Sequence, residues 1–330
     1  MDIEELVALS VKQNAGDLHL CSGYSPFWRR HGRLEPIGER PPLTGDGLEA
    51  FAMRWLSTAQ HQALHLHGQV DFALTLPEGT RLRANLFRQR LGLSLALRLI
   101  ASDCPPLVSL RLPAIADALL LQEEGLVLIV GATGSGKSTT LAGLVGAMNQ
   151  QQQRHILTLE DPVEFIHHSA SSLIQQRELG LHFSRFSDGL RAALREDPDV
   201  ILLGELRDAE TIQLALSAAE TGHLVLATLH TRGAAQAVER LVDVFPGSEK
   251  NLVRSQLAGS LQAVLAQKLV AAPEGRVALF EVLVNTPAVA NLIREGKTHQ
   301  LPALIQTGSQ QGMQTFEQSL AERRKAGVIV

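Results

Sequence analysis

The second half of the chain alternates short apolar runs with segments of helical periodicity. The apolar runs cover residues 126–130, 156–160, 200–204 and 224–228. Each run has the length of a buried strand, and strands that alternate with helices in this way are typical of a doubly wound α/β core. From about residue 235 onward the pattern predicts mostly helix, with one interrupting strand at 276–284.

The first hundred residues carry shorter elements of a different kind. The predicted elements are short strands within 17–37, a helix over 44–67 with Thr44 as a possible N-cap, and strands over 69–76, 80–88 and 91–100. They predict a small α+β domain over residues 1–100. A Pro-Pro pair marks residues 101–113 as a linker, so the α/β domain covers residues 114–330.

Composition and charge agree with a soluble globular protein of about two domains. The 330 residues are 45% hydrophobic and 19% charged, and no apolar run reaches the roughly 18 residues that span a bilayer. The acidic amino terminus lacks the basic region of a secretory signal. A formal net charge of -4 gives no electrostatic footprint for nucleic acid. Cys21 and Cys104 lie far apart, which predicts reduced thiols in a cytoplasmic protein and neither a disulfide framework nor a zinc site.

The first apolar run leads into a glycine-rich loop with the spacing G-x-x-x-x-G-K-S, and a helix-compatible segment follows. In this strand–loop–helix context the spacing is that of the phosphate-binding P-loop. Glycines let the backbone approach a ligand, and a helix amino terminus attracts anions. Lys137 is expected to reach the β- and γ-phosphates of ATP, and the Ser138 hydroxyl to bind Mg²⁺. The predicted nucleotide-binding residues are Gly131, Ala132, Thr133, Gly134, Ser135, Gly136, Lys137, Ser138 and Thr139.

Carboxylates follow two other strands of the predicted sheet. Glu205 comes directly after the third apolar run, where P-loop enzymes hold Mg²⁺ directly or through water. Glu160 ends the second run, and Asp161 and Glu164 follow it. One of these three is expected to position and polarise the attacking water, with Glu160 favoured. An isolated acid of this kind is usually a solvated loop residue or a helix cap, but strand ends of an open α/β sheet meet at one edge, which favours a site.

Two histidines, His223 and His230, flank the fourth apolar run. A single histidine beside a strand is usually a structural hydrogen-bonding group. Two of them around a strand that ends near the phosphates are candidates to contact the γ-phosphate or to bridge subunits. Metal binding by this pair is not expected, because no carboxylate or cysteine lies at ligand spacing.

Arginines are concentrated on the predicted strand at 80–88 and on its neighbour. The candidates are Arg81, Arg83, Arg88 and Arg98. They can form a solvated basic edge that discourages aggregation, or arginine fingers that reach the ATP of a neighbouring subunit. A basic groove for nucleic acid is a third interpretation, which the scarcity of interleaved aromatic residues does not favour.

Together these motifs resemble the PilT-type ATPases of type IV pilus retraction, within the larger superfamily of secretion ATPases. The motifs are GDLHLCSG at 16–23, LTLEDPVEF at 157–165, ILLGELRD at 201–208, AAETGHLVLATLHT at 218–231, NLIREGKTHQL at 291–301 and IQTGSQQGMQTFEQSL at 305–320. The resemblance covers essentially the whole chain. It implies a PAS-like amino-terminal domain, a RecA-like P-loop NTPase domain and a hexameric ring.

The resemblance also implies roles for individual residues. Glu160 corresponds to the catalytic carboxylate and Glu205 to the Walker B glutamate. His223 and His230 correspond to the histidine-box pair, and the arginine finger falls among the four arginines above. The implied protein is a Mg-ATP hydrolase that forms a cytoplasmic homohexamer, peripheral to the inner membrane. It would dock on a pilus platform protein and drive pilus disassembly or a related process.

Two departures from the family pattern bear on function. Assembly and type II secretion ATPases usually carry a four-cysteine zinc motif, whereas this chain has two cysteines, so no zinc is expected. Ala290 stands where the retraction motif often has an arginine. This change lies outside the nucleotide site. It indicates a paralogue of the retraction ATPases whose coupling to a pilus is altered or lost. A regulatory nucleotide-binding ring and a RecA-like nucleic-acid motor are the alternative functions.

Overall fold

The structure of the protein is a computed structural model that describes residues 3–13, 15–30, 33–76, 79–100, 104–273 and 275–329. The chain divides into two compact units, Met1–Ser102 and Asp103–Val330. Both units combine helices with a sheet, which confirms the mixed α/β class that the sequence predicts. Of the predicted linker, residues 101–103 lie outside the described residues, and the remainder includes a short 3-10 helix, Leu107–Leu110. Among the described residues, none of the helices combines the length and the hydrophobicity of a membrane-spanning segment.

The amino-terminal unit contains one antiparallel sheet and three helices among its described residues. In chain order its elements are α1 (Ile3–Lys12), β1 (Asp17–Cys21), β2 (Phe27–Arg30), β3 (Arg33–Pro36), α2 (Gly45–Trp55), α3 (Thr58–His67), β4 (Gln69–Thr75), β5 (Arg81–Gln89) and β6 (Gly92–Ile100). The strands lie in the order β3-β2-β1-β6-β5-β4. Side chains alternate along β5, so Leu82, Ala84 and Leu86 enter the core while Arg83 is exposed.

The predicted single helix over 44–67 is wrong, because the structure has two helices in this segment, α2 and α3. Ser57 begins α3 with a capping box. Its side chain accepts a hydrogen bond from the Gln60 N–H (3.3 Å), and the Gln60 side chain accepts one from the Ser57 N–H (2.8 Å). This pair satisfies backbone donors at a second helix start that apolar periodicity does not reveal. Thr44 precedes α2 as predicted, but its side chain makes no capping bond.

The second unit carries the predicted P-loop. Its elements are α4 (Ile115–Leu120), β7 (Gly125–Val130), α5 (Lys137–Gln151), β8 (His155–Glu160), β9 (Leu173–Glu178), α6 (Phe186–Ala193), β10 (Val200–Leu203), α7 (Ala209–Glu220), β11 (Leu224–Leu229), α8 (Ala234–Asp243), α9 (Lys250–Ser260), β12 (Leu261–Ala272), β13 (Gly275–Val284), α10 (Pro287–Arg294), α11 (Leu301–Thr307) and α12 (Phe316–Lys325). Two further 3-10 turns cover Thr298–Gln300 and Ser309–Gln311.

The sheet of this unit, in the part of the chain that the structure describes, has the order β13-β12-β7-β11-β10-β8-β9. The four strands that the sequence predicts before residue 235 are its centre, β7, β11, β10 and β8, and they pair in parallel. Helices α4 and α5 cover one face, and α6 to α10 cover the other. Because parallel strands end at one edge, the segments after these four strands meet there.

Two strands of this sheet, β9 and β12, are missing from the sequence prediction. β12 falls in the region predicted as mostly helical, so that prediction is wrong there. Its run LQAVLAQKLVAA is rich in good helix formers and lacks the alternation of a half-buried strand. The structure pairs β12 with β7 and β13, and both of its faces lie in core clusters. Burial on both faces therefore overrides the local helix propensity.

Candidate active site

The predicted P-loop connects β7 to α5 at the carboxyl edge of the sheet. Gly131, Gly134 and Gly136 have φ angles of 155°, 76° and 90°, which residues with a side chain rarely adopt. At Gly131 a β-carbon would also collide with the Ser135 hydroxyl and with the carbonyl oxygen of Gln267. Glycine is therefore required at Gly131 both by the backbone path and by the close approach of β12.

Lys137 is the first residue of α5, and its side chain returns to the loop. The residue is buried, with 8% of its surface exposed. Its Nζ donates hydrogen bonds to the carbonyl oxygens of Gly131 (2.8 Å) and Ala132 (3.1 Å). Burial lowers the pKa of Lys137, while the carboxylates of Glu205 and Glu164 act in the opposite direction. Phosphate oxygens are stronger acceptors than these carbonyls, so a phosphate can replace them at the ammonium.

His230 lies between Lys137 and Glu205. Its Nδ1 is 3.4 Å from Lys137 Nζ, and its Nε2 is 3.4 Å from Glu205 Oε1. Arg207 contacts Glu205 Oε2 at 2.7 Å. Burial raises the pKa of Glu205, but the hydrogen bond and charge of Arg207 together with His230 outweigh burial and hold this pKa below its usual range. Glu205 is therefore ionised at neutral pH, as a carboxylate ligand of a cation has to be.

Glu160 ends β8, and two hydrogen bonds hold its Oε1. The donors are Thr158 Oγ1 (2.7 Å) and Gln176 Nε2 (3.1 Å). Gln176, on β9, also donates to the Phe165 carbonyl oxygen (2.8 Å), which ties the loop after β8 to the same amide. Burial raises the pKa of Glu160 and the nearby Glu164 adds to this effect, whereas the hydrogen bonds oppose it. A carboxylate with a raised pKa is a stronger proton acceptor, as a general base requires.

A cavity of about 90 Å³ brings the predicted chemistry together. Ser138, Glu160 and Glu205 line it, with Asp161 and Glu164 beside them. Mg²⁺ usually takes one or two oxygen ligands from the protein and completes its shell with phosphate and water. A hydroxyl and an ionised carboxylate at one cavity fit that requirement, so the residues present suit a magnesium ion shared with a phosphate.

A second cavity, of about 610 Å³, lies against the end of the P-loop. Gly136 and Thr139 line it, together with Arg111, Arg276 and residues 326–328. Its volume is in the range of pockets that enclose small organic ligands. Sequence analysis does not identify Arg111, Arg276 or residues 326–328, because they lie far apart in the chain and belong to no motif.

Two glutamines complete the site and are also missed by sequence analysis. Gln176 supports Glu160, and Gln267 of β12 donates to the carbonyl oxygen of Ser135 in the P-loop (2.8 Å). They lie on the two strands that the sequence pattern does not predict. The one local signal is that Gln267 directly follows the apolar residues 263–266.

The structure does not bring His223 to this cavity within the chain. His223 precedes β11 and His230 follows it, so about 20 Å of strand separates them. The His223 Nδ1 lies 3.1 Å from the carbonyl oxygen of Ala218, at the opposite edge of the sheet. Of the two histidines, His230 is the one beside the P-loop.

The four predicted arginines belong to β5 and β6 of the amino-terminal unit. Arg81 is buried there, whereas Arg83, Arg88 and Arg98 are exposed. Arg98 Nε donates to Asp17 Oδ1 at 2.7 Å, across the register of β1 and β6. Arg98 is thus engaged within its own unit, and Arg83 and Arg88 are exposed on β5.

Comparison with known proteins identifies the family. A family model described as type II/IV secretion system protein matches residues 109–274. The chain is 63% identical over 324 residues to the uncharacterized protein YggR of Escherichia coli (strain K12), covering 98% of each chain. It is 45% identical over 330 residues to the type IV pilus retractation ATPase PilT of Pseudomonas aeruginosa, covering 100% of this chain and 96% of that one.

A solved structure gives the same answer. The crystal structure of the pilus retraction motor PilT with bound ADP superimposes with a TM-score of 0.91 at 40% identity, covering 100% of this chain and 95% of that chain. Similarity of this extent leaves no segment of the chain outside the match. The chain therefore belongs to the PilT-type ATPases of the type II/IV secretion system protein family.

Proposed function

We propose that the protein hydrolyses Mg-ATP at this site, as a motor that serves a pilus or a related secretion process. The observation that supports this most directly is the cavity where Ser138, Glu160 and Glu205 converge beside the P-loop lysine. A protein that only binds nucleotide has no need of a second carboxylate there. Desolvating the Glu160 carboxylate costs folding free energy, and catalysis gives a reason to retain it.

Each residue of the site has a proposed role. The loop amides and Lys137 bind the phosphates, and the positive end of α5 favours their charge. Mg²⁺ held by Ser138 and Glu205 would neutralise charge on the β- and γ-phosphates. Glu160 orients the attacking water and accepts its proton, while Thr158 and Gln176 hold its carboxylate in place.

His230 is proposed to respond to the γ-phosphate. It contacts both Lys137 and Glu205. Loss of the γ-phosphate would change the surroundings of the P-loop lysine and of the proposed magnesium ligand, and His230 would contact both groups as they change. Lys137 stabilises the charge that develops on the transferred phosphoryl group.

The nucleoside is proposed to occupy the larger cavity, of about 610 Å³. Gly136 and Thr139 line this cavity at the end of the phosphate loop, so a nucleotide can extend from one site into the other. Arg111 and Arg276 offer planar guanidinium groups that can stack on a base or donate to ribose hydroxyls.

The finer architecture is also a proposal, supported by the family resemblance. Residues 1–100 would form a PAS-like domain, residues 101–113 a linker, and residues 114–330 a RecA-like ATPase domain. The subunits would form a homohexamer in which Arg83 or Arg88 of one subunit reaches the ATP of the next. His223, remote from its own P-loop, would contact a neighbouring subunit. The ring would be cytoplasmic and dock on an inner-membrane pilus platform protein, without zinc or nucleic acid.

Ala290 favours a second candidate, a nucleotide-driven ring whose coupling to a pilus is altered. Ala290 lies on α10 with 7% of its surface exposed and packs in the core beside Val289 and Ile293. An arginine at this position would have to extend its charged group to the surface. With alanine, the surface of α10 lacks the positive charge that the arginine of the retraction motif would place there. A deletion strain with normal pilus number and normal twitching, combined with active ATPase in vitro, would support this candidate.

The proposed activity is tested by phosphate release from ATP with the purified full chain. Lys137→Ala removes the ammonium that stabilises the phosphoryl group, and turnover is expected to fall to background. Lys250→Ala is the matched control, because Lys250 is paired with Asp243 on the surface (2.6 Å). Undiminished turnover in Lys137→Ala rejects the assignment. Stimulation by single-stranded DNA, with a steep dependence on salt, would favour a nucleic-acid motor instead.

A further inference from the structure

A side chain from β12, that of Gln267, reaches the P-loop from outside every motif. It is almost fully buried, with 4% of the residue exposed. Both ends of its amide are used: Nε2 donates to the Ser135 carbonyl oxygen (2.8 Å), and Oε1 accepts from Thr140 Oγ1 (2.7 Å). A carbonyl oxygen can only accept, so the Ser135 contact requires the NH₂ group to face the loop.

Gln267 also packs closely against two glycines of the loop. A β-carbon at Gly131 would collide with the Gln267 carbonyl oxygen, and one at Gly136 would lie 2.8 Å from its Nε2. β12 therefore contacts both ends of the P-loop, through its backbone at Gly131 and through this amide at Ser135 and Gly136. The shape of the loop depends on the strand beside it as well as on its own glycines.

The bond to Ser135 determines the direction of the next N–H group. In a trans peptide unit the C=O and N–H bonds point in opposite directions. The Ser135 carbonyl points toward Gln267, so the Gly136 N–H points away from it. Among the described residues this N–H donates to no acceptor of the protein. Gly136 is the N-cap of α5, where an N–H turned outward is suited to a phosphate oxygen.

We propose that Gln267 is a positioning residue of the phosphate site. It holds the Ser135–Gly136 peptide so that the Gly136 N–H, and not the Ser135 carbonyl, faces the bound nucleotide. This inference rests on the proposed function, because it concerns the same nucleotide. Gln267 also lines the larger cavity, but both hydrogen bonds of its amide are made to the protein, so it acts on the phosphates through the loop. Without its amide the peptide unit can rotate, and a carbonyl oxygen then faces the negative phosphates.

Two substitutions test the role of the amide. Gln267→Met keeps the length of the side chain and removes both hydrogen bonds. Gln267→Glu keeps an acceptor for Thr140 and replaces the NH₂ donor alone. A contact made to phosphate throughout the reaction contributes equally to substrate and transition-state binding, so its loss raises KM. We expect both variants to raise the KM for ATP about tenfold, or about 1.4 kcal/mol, with kcat changed less than about threefold.

The same strand offers a matched control. Gln262 also lies on β12, about 16 Å along the strand, and its Nε2 donates to the Glu124 carbonyl oxygen before β7 (3.1 Å). Gln262→Met and Gln262→Glu thus remove a glutamine-to-carbonyl bond of the same kind, away from the phosphates. Both are expected to leave the KM for ATP unchanged. Isothermal titration with ADP supplies a second readout, in which only the Gln267 variants should bind more weakly.

The outcomes separate this inference from the proposed function. If the wild type turns over ATP and both Gln267 variants keep its KM, the positioning role is refuted while the ATPase stands. A lower kcat at constant KM, which is what a loss of folded protein produces, refutes it as well. If the Gln267 variants fail to fold, Thr140→Val is the test of the inference. This substitution removes the hydroxyl that orients the Gln267 amide. An unchanged KM for ATP in Thr140→Val refutes the inference. A wild type with neither turnover nor ADP binding refutes the proposed function itself.

Discussion

Replacement of Glu160 by glutamine is expected to separate catalysis from nucleotide binding. Glutamine keeps the size of the side chain and a carbonyl oxygen for the Thr158 hydroxyl (2.7 Å), but it does not take up a proton. General-base catalysis contributes about 10²–10⁴ in rate. That factor corresponds to about 2.7–5.5 kcal/mol in the activation barrier. We expect kcat to fall by this factor, with nucleotide affinity changed less than about threefold because Lys137 and the loop amides remain intact.

Steady-state phosphate release measures kcat, and titration with a slowly hydrolysed ATP analogue measures affinity. Glu164→Gln is the matched control, because Glu164 lines the same cavity on the loop that follows β8. Its loss is expected to cost less than that of Glu160. The reasoning is refuted by equal losses in the two variants, or by loss of binding and turnover together in Glu160→Gln.

The same substitution changes how stability depends on pH. Burial raises the pKa of Glu160, so the folded protein binds this proton more tightly than the unfolded chain. The stabilisation that this bound proton gives the folded state is fully present below the unfolded pKa of about 4.3. It is lost as pH rises through the raised pKa of the folded state. Glu160→Gln removes this pH dependence of the unfolding free energy, so at neutral pH the variant should be at least as stable as the wild type. Urea denaturation measures this, and a less stable variant at neutral pH would contradict the sign.

Two further predictions concern His230 and the amino-terminal unit. His230→Ala breaks the contacts to Lys137 and Glu205, and phosphate release should fall by about 10- to 100-fold, the usual cost of losing a group that supports a metal ligand. His155→Ala, at the opposite end of β8, is the control, and an equal loss there would refute the role of His230. Ser57→Ala removes the cap of α3 and should lower the unfolding free energy by about 1 kcal/mol in urea titration. Thr44→Ala should cost less than about 0.5 kcal/mol because Thr44 makes no capping bond, and equal costs would contradict this.

The predictable part of the candidate site consists of residues at the carboxyl ends of strands. The P-loop is recognisable because glycines, a lysine and a serine lie at fixed spacing between an apolar run and a helix. Glu160, Glu205 and His230 are predictable because each lies at or just beyond the carboxyl end of a central strand, and the structure collects them at one edge of the sheet. These inferences needed no knowledge of strand order.

The residues that support the site were not predictable in the same way. Gln176 and Gln267 lie on β9 and β12, whose sequences lack the alternation that marks a half-buried strand. His223 was predicted with His230 because both flank one apolar run, yet the strand holds them at opposite edges of the sheet. The direction of the parallel strand places His230, at the carboxyl end of β11, beside the ligand edge and His223, at the amino end, away from it.

By itself, the sequence determined the strand–loop–helix of the P-loop, the acids at the strand ends and the family. These features are local, because steric limits on glycine and the direction of a strand act within a few residues. Only the tertiary structure decided that His230 contacts both Lys137 and Glu205, and that Gln267 holds a loop 132 positions away. Such contacts arise from burial on both faces of a sheet, which overrides local propensity and is set by strands distant in the chain.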